Sequence, residues 1–251
     1  MKMSEIDELK DFELFVKFTQ EKHVDSLLNG NFYMKNINYF IELENKNKIK
    51  GVGDKWEAAH VFESNEMYLY DSKEKKIIKH LGRGEIITRY EQAKKVPIFC
   101  FSRFTANDYS LFEDTDTYLS FKLNIGEDLK KFKEFGDTAV IFPRDIEEIF
   151  RHATDSAGLH SVFKEIQYDS FSGKSLSKLE ALNQRSVKMF FWKSKLFRYQ
   201  REVRLALYNT FVDDNFVLKT DIIKNASIVS KIGDFLERSV IIVYKKNSSA
   251  D

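Results

Sequence analysis

The sequence predicts a single α+β domain of mixed, mostly antiparallel short strands with four to five helices. The chain contains 23 Phe and 11 Tyr, a content typical of a sheet-rich core. Strand-like and helix-like segments also alternate irregularly, which disfavours a regular βαβ repeat. With 251 residues the chain is long enough to bury a sizeable core. We therefore expect one domain over residues 1–251, with residues 1–11 disordered and residues 245–251 forming a tail.

The N-terminal half is predicted to consist of short strands with two helical segments. Apolar and polar residues alternate over 12–18, and a short amphipathic helix then ends at Asn29 and Gly30. A Lys/Asn-rich loop over 45–54 is expected to precede a second short helix over 55–62, and Gly82 and Gly84 are expected to end a hairpin. The remaining strands in this half are predicted at 31–35, 67–70, 76–80, 96–101, 118–123 and 138–142.

The C-terminal half contains the longer predicted helices. A basic helix over 127–135 is closed by Gly136, and an amphipathic helix follows to about Ala157. A polar loop over 170–177 precedes a helix expected over 178–192. The strands of this half are predicted at 165–168, 202–208, 216–218 and 240–244.

Composition and charge exclude several classes of function. Lys and Arg number 40 against 39 Asp and Glu, so the net charge of +1 does not support nucleic-acid binding. No apolar stretch of membrane-spanning or signal-peptide length is present, so we expect a cytoplasmic protein with no membrane association. Cys100 is the single cysteine and the five histidines are scattered, so neither a disulfide nor a metal site is predicted.

Two segments place polar residues beside elements that could present them to a ligand. Asp54 and Glu57 follow two glycines at capping-box spacing, where close backbone approach to a ligand is possible; a plain helix cap is the alternative. The apolar strand around Phe101 ends in Ser102 and Arg103, which either face a ligand or mark a strand that ends at the surface.

A third segment, residues 193–205, carries alternating polar residues. If this segment runs as a strand, Gln200, Glu202 and Arg204 share one face. Such a polar face indicates a site, or alternatively a solvent-facing ladder of ion pairs.

These segments resemble the domain of unknown function 2971 family, an uncharacterised group of bacterial and phage proteins. The resemblance covers most of residues 12–208 and differs from the family pattern at Phe197, in place of tryptophan, and Gln200, in place of glutamate. The matching elements are Lys17-Phe18-Thr19, Leu27-Leu28, Gly53 to Glu57, Cys100-Phe101-Ser102, and Lys193 with Glu202 and Arg204.

The order of these elements is also similar to that of ADP-ribosyltransferases. Those enzymes have an Arg or His on an early strand, a Ser or Tyr on a middle strand, and Gln/Glu-x-Glu on a late strand. The resemblance implies an ADP-ribosyltransferase-like fold and a NAD site, with Glu202, Gln200 and Ser102 as catalytic residues. Because the early Arg or His is missing, Lys17 or Arg103 would have to replace it. The binding residues implied are Lys17, Thr19, Phe101, Arg103, Arg204, Asp54 and Glu57.

Three functions remain open from the sequence. The first is a NAD-dependent transferase or glycohydrolase of bacterial or phage conflict type, in which Glu202 stabilises the transition state. The second is a non-catalytic interaction protein that binds a host or phage protein. The third is a metal-dependent nuclease or nucleotide hydrolase that uses Asp54, Glu57 and Glu202. A pocket shared by Ser102, Glu202 and Arg204 would favour the first, converging carboxylates the third, and separated groups the second.

Overall fold

The computed structural model describes residues 1–47, 53–169, 176–237 and 241–246, and it has the mixed, mostly antiparallel α+β architecture that the sequence predicts. Fifteen strands are found within these ranges. They are β1 (Glu13–Thr19), β2 (Asn31–Asn36), β3 (His60–Asp71), β4 (Lys76–Thr88), β5 (Pro97–Thr105), β6 (Tyr109–Asp114), β7 (Tyr118–Leu123), β8 (Thr138–Ile141), β9 (Val162–Glu165), β10 (Gln167–Asp169), β11 (Trp192–Ser194), β12 (Glu202–Ala206), β13 (Asn215–Lys219), β14 (Ile228–Lys231) and β15 (Ile241–Lys245).

The same ranges contain seven α-helices, most of them short. Two 3-10 helices, Val187–Phe191 and Lys195–Gln200, flank β11 and help to position the candidate site. The α-helices are α1 (Val24–Leu28), α2 (Ile37–Asn47), α3 (Glu91–Lys94), α4 (Asp128–Lys131), α5 (Ile146–Ser156), α6 (Leu176–Asn183) and α7 (Ile232–Glu237).

The central sheet divides at β5. The strand order is β13-β2-β5-β1-β8-β14, with β12 and then β9 beside β5. Ser102 pairs with both Val16 and Glu202, while Ile98 pairs with both Lys35 and Ala206. Since a strand has two edges, β12 occupies one edge of β5, and β1 and β2 share the other. All these pairings are antiparallel.

Side chains alternate between the two faces of this sheet. On one face Phe99 and Phe101 pack against Phe150 of α5, within a core that also contains Val203 and Leu205. On the other face Ile98 and Ala206 pack with α2 and with the segment 189–192. Residues on β12 with even numbers therefore point into this second layer.

Three smaller sheets accompany the central sheet in the part of the chain that the structure describes. Strands β15, β7 and β6 form one, and β10 pairs in parallel with β11. Strands β3 and β4 form a separate two-stranded hairpin, His60–Thr88, which we call the arm. Unlike the central sheet, the arm exposes many of its apolar side chains.

Several predicted elements are wrong in extent. The expected helix over 55–62 is a turn, with Ala58 at φ 49°, followed by β3. The expected helix over 178–192 ends at Asn183, because Arg185 adopts a left-handed φ of 51° that an α-helix cannot accommodate. Gly82 and Gly84 do not end the hairpin, since β4 continues through a bulge to Thr88.

Residues 1–11, expected to be disordered, form two 3-10 turns that place Met3 in a core. Helices α2 and α7 and strands β6 and β14 were not predicted. The predicted polar loop over 170–177 falls largely on residues 170–175, which lie outside the described residues. Residues 48–52 of the predicted Lys/Asn-rich loop, residue 240 of the last predicted strand and residues 247–251 of the predicted tail also lie outside them.

Candidate functional site

Two of the three polar segments, the one at Asp54 and Glu57 and the one over 193–205, meet at one buried group of ionised side chains, which we call the charged cluster: Glu57, Lys193, Glu202 and Arg204. Glu57 and Arg204 are 0% exposed, Lys193 is 3% exposed and Glu202 is 5% exposed. Charges so deep in a protein require opposite charges and hydrogen bonds around them. The alternative of a solvent-facing ladder of ion pairs is therefore wrong.

Arg204 holds the two carboxylates of the cluster together. Its Nη1 and Nη2 donate to Glu57 Oε2 and Oε1 at 2.9 and 3.0 Å, which makes a bidentate pair. Its Nε and Nη2 donate to Glu202 Oε1 at 2.9 and 2.6 Å. Nη1 also donates to the carbonyl oxygen of Phe190 at 2.6 Å. Arg204 thus uses its full planar fork inside the core.

Lys193 occupies the other side of Glu202. Its Nζ donates to Glu202 Oε2 and to Gln200 Oε1, both at 2.7 Å, and lies 3.8 Å from Glu57 Oε1. The positive charges of Lys193 and Arg204 therefore balance the negative charges of the two carboxylates. Each oxygen of Glu202 has a cationic partner.

The segment Gly53 to Glu57 is fixed by backbone contacts. Asp54 accepts from the backbone N–H of Trp56 at 2.9 Å and of Ser194 at 3.0 Å, so it joins this segment to β11. A Cβ on Gly53 would lie 2.4 Å from the carbonyl oxygen of Phe40. Gly53 is needed because its backbone lies close to α2. The sequence pattern had instead allowed for close approach to a ligand.

Gln200 reaches the cluster from a 3-10 helix and not from a strand. The chain reverses at Arg201, whose φ is 48°, before β12 begins at Glu202. The carbonyl oxygen of Gln200 accepts from the Ser102 hydroxyl at 2.7 Å. The segment 193–205 is therefore not one continuous strand, yet Gln200, Glu202 and Arg204 still converge.

The electrostatic environment keeps Glu202 ionised. Burial raises its pKa, but the charges of Arg204 and Lys193 outweigh burial and hold the pKa well below the usual range. Burial lowers the pKa values of Lys193 and Arg204, and their carboxylate neighbours more than reverse this, so both pKa values are raised. Burial raises the pKa of Glu57 more than Arg204 and Lys193 lower it.

Lys17 has a structural role at the division of the sheet. Its Nζ donates to the carbonyl oxygen of Cys100 at 2.6 Å, in the part of β5 between the β1 and β2 pairings. It also lies 4.7 Å from the centre of the Phe99 ring. Burial lowers the pKa of Lys17 and raises that of Cys100 to about 12, as expected for a packed, inert thiol.

Three predicted binding residues do not join the cluster. Phe101 is buried on the opposite face of the sheet, because alternate residues of a strand point to opposite sides. Arg103 forms ion pairs with Glu13 and Glu165. Thr19 pairs with Thr138 at the far end of β1.

A cleft of about 460 Å³ lies beside the cluster. Tyr168 connects the two, since it lines the cleft and its hydroxyl oxygen accepts from the backbone N–H of Glu202 at 2.8 Å. Trp192 and Lys178 line the cleft, whereas Glu202 does not. Sequence reasoning missed Tyr168 and did not include Lys193 among the site residues, although Lys193 begins the family-like stretch.

A metal centre gains no support from this geometry. Glu57 and Glu202 do converge, but onto Arg204, and Asp54 is directed at backbone N–H groups. In the described residues, no group of three or more His, Cys, Asp or Glu is placed to hold an ion. The carboxylates here bind protein donors.

Comparison with known proteins found no matching family model, no matching curated protein and no matching solved structure. The resemblance to the domain of unknown function 2971 family therefore stays a prediction. None of the helices in the described ranges is long and apolar enough to cross a membrane.

Proposed function

We propose that the protein is a NAD-directed enzyme of ADP-ribosyltransferase or glycohydrolase type, with Glu202 as its central carboxylate. The supporting observation is the adjacency of the three strands that carry the family-like elements. Strands β1, β5 and β12 lie side by side, and Val16, Ser102 and Glu202 are in register across them. Early, middle and late strands are thus neighbours in one sheet, as the resemblance implies.

Glu202 has the ionisation that this chemistry requires. Cleavage breaks the bond between nicotinamide and ribose, and nicotinamide leaves with the bonding electron pair. Water or an acceptor hydroxyl then adds to the ribose carbon and loses its proton. A fixed, ionised carboxylate stabilises the positive charge that develops on the ribose. Arg204 holds Glu202 Oε1 in place, and Ser102 positions Gln200 through its carbonyl oxygen.

Access to Glu202 depends on Lys193. Lys193 Nζ occupies the Oε2 side of this buried carboxylate, and in the proposed reaction a ribose hydroxyl takes its place at Oε2 as Nζ withdraws. Gln200 Oε1, already 2.7 Å from this Nζ, retains the ammonium during such a movement. The neighbouring cleft is within the volume range of small-molecule sites, and Tyr168 separates it from Glu202. We therefore assign entry of the substrate to the Tyr168 side.

One observation favours the non-catalytic alternative, an interaction protein of phage or host. Every oxygen of the cluster carboxylates is hydrogen-bonded within the protein, which is what a purely structural buried network requires. The two functions predict different behaviour of the two carboxylates, so one experiment distinguishes them.

The experiment measures nicotinamide release from NAD by the wild type, Glu202→Gln and Glu57→Gln. Both substitutions remove one charge from the same network, and Glu57 is enclosed completely, so it is a matched control for stability. We expect Glu202→Gln to lose about 100-fold or more in turnover, as when a stabilising group of a transition state is removed, with a much smaller loss in Glu57→Gln. Equal losses, or no release by the folded wild type, would favour the interaction protein.

A further inference from the structure

The arm extends from the rest of the chain as a two-stranded hairpin. Its contacts with the body include the packing of Val61 with Ala59 and Trp56, the pair between Lys55 and Glu85 at 2.7 Å, and contacts between β3 and α6. Strands β3 and β4 form a sheet of their own. An isolated two-stranded hairpin is marginally stable in water, so an arm of this length gains from further packing.

Apolar side chains cover the exposed part of the arm. Nine large apolar residues on it are between 38% and 58% exposed. Two cross-strand pairs, Phe62 with Ile86 and Tyr70 with Ile77, place such side chains together near the base and near the tip. A concentration of this kind marks a surface that another protein covers. The nine are Phe62, Tyr68, Leu69, Tyr70, Ile77, Ile78, Leu81, Ile86 and Ile87.

The two strands of the arm carry opposite charge. Strand β3 contains Glu63, Glu66 and Asp71 and no Lys or Arg. Strand β4 contains Lys76, Lys79 and Arg83, with Glu85 as its one acidic residue. Glu63 and Glu85 also face each other across the strands, and like charges in that position repel. An acidic strand beside a basic strand is a self-complementary surface.

We propose that the arm binds the arm of a second copy of this chain in a twofold dimer. Face-to-face stacking about an axis along the strands places β3 of one copy over β4 of the other. This arrangement buries the apolar side chains on the facing side of each arm between two sheet layers about 10 Å apart, and it sets an acidic strand against a basic strand twice. A partner of a single charge would match only one strand of the arm. The arm lies outside the charged cluster, so this proposal is independent of the NAD chemistry.

The first test is the mass of the purified full-length chain in sedimentation equilibrium. We expect a dimer for the wild type and a monomer for Tyr70→Lys/Ile77→Lys, which places charge within the apolar surface. Leu196→Lys is the matched control, since Leu196 is an exposed apolar residue outside the arm at 79% exposure, and it should remain a dimer.

The second test uses charge reversal and does not depend on apolar contacts. Glu63→Lys/Glu66→Lys makes both strands basic, and Lys79→Glu/Arg83→Glu makes both strands acidic. Each variant alone should be monomeric, with at least a tenfold weaker self-association, while a mixture of the two should form a dimer of one copy of each. Circular dichroism confirms that each variant is folded before it is mixed.

Three results would overturn the proposal. They are a wild type that stays monomeric, a dimer that persists in the Tyr70→Lys/Ile77→Lys variant, and reversed variants that do not associate when mixed. A monomeric wild type whose arm binds a different protein also overturns it, because the arm would then serve a heterologous interface.

Discussion

The charged cluster and the arm differ in where they place polar and apolar side chains. The cluster places four ionised side chains in the core, where each has charged and hydrogen-bonded partners, while the arm leaves large apolar side chains in water. A buried network whose polar atoms have partners within the chain stabilises the fold. A ligand can reach such a network only if one of its side chains moves. An apolar surface without such partners points to contacts outside the chain. The comparison therefore distinguishes residues that stabilise the fold, in the cluster, from residues that a partner would cover, in the arm.

The largest effect is expected from removing the shared cation of the cluster. Arg204→Met leaves Glu57 and Glu202 buried without their common partner, and such breaks cost about 3–5 kcal/mol. Chemical denaturation would measure the loss in free energy of unfolding. The control is Arg151→Met, an exposed arginine paired along α5, which should change stability by less than about 0.5 kcal/mol. Similar values for both variants would mean that the cluster does not hold the fold.

Acid should destabilise the protein through Glu202. Because its folded-state pKa lies below the usual value of 4.5, the folded state binds the proton less tightly than the unfolded state. The stabilisation is therefore fully present above about pH 4.5 and is lost as the pH falls below that value. Urea midpoints measured from pH 7 to pH 3 should fall more steeply for the wild type than for Glu202→Gln. Parallel curves would contradict this assignment.

A smaller effect is expected at the division of the central sheet. Lys17→Met removes the donor to the Cys100 carbonyl, and an unsatisfied buried acceptor costs about 1–3 kcal/mol. Thermal or chemical unfolding beside Lys22→Met, an exposed lysine near the end of β1, would measure the difference. If Lys17→Met were as stable as this control, the carbonyl would have another donor.

The smallest effect on monomer stability is expected in the arm. Tyr70→Ser/Ile77→Ser alters two side chains that are 55% and 58% exposed, so the unfolding of a monomer should change by less than about 1 kcal/mol. Unfolding measured at high dilution, where a dimer dissociates, gives the free energy of unfolding of the monomer alone. A large loss at high dilution would show that the arm packs against its own body.

The sequence predicted the regular strands better than the boundaries of the helices. Alternation over 12–18 located β1 to within one residue at each end, because the side chains of a strand alternate between two faces. The helix expected over 178–192 was wrong because the left-handed turn at Arg185 carries no signal in apolar spacing. Helix α2 was missed because its sequence leads into the Lys/Asn-rich segment that was interpreted as a loop.

The common face of Glu202 and Arg204 was predictable, and the burial of the site was not. The spacing of two residues alone places Glu202 and Arg204 on the same face of β12. What covers this face comes from distant parts of the chain, namely Glu57, Lys193 and the carbonyl oxygen of Phe190. Spacing along one strand contains no information about such long-range contacts.

A crystal structure with a non-hydrolysable NAD analogue would test the central claim most directly. We expect a ribose hydroxyl within hydrogen-bond distance of Glu202 Oε2, with Lys193 Nζ withdrawn to Gln200 and Arg204 still bound to Oε1. An analogue bound elsewhere, or none bound, with the contact between Lys193 and Glu202 intact, would contradict the assignment of Glu202 to NAD chemistry.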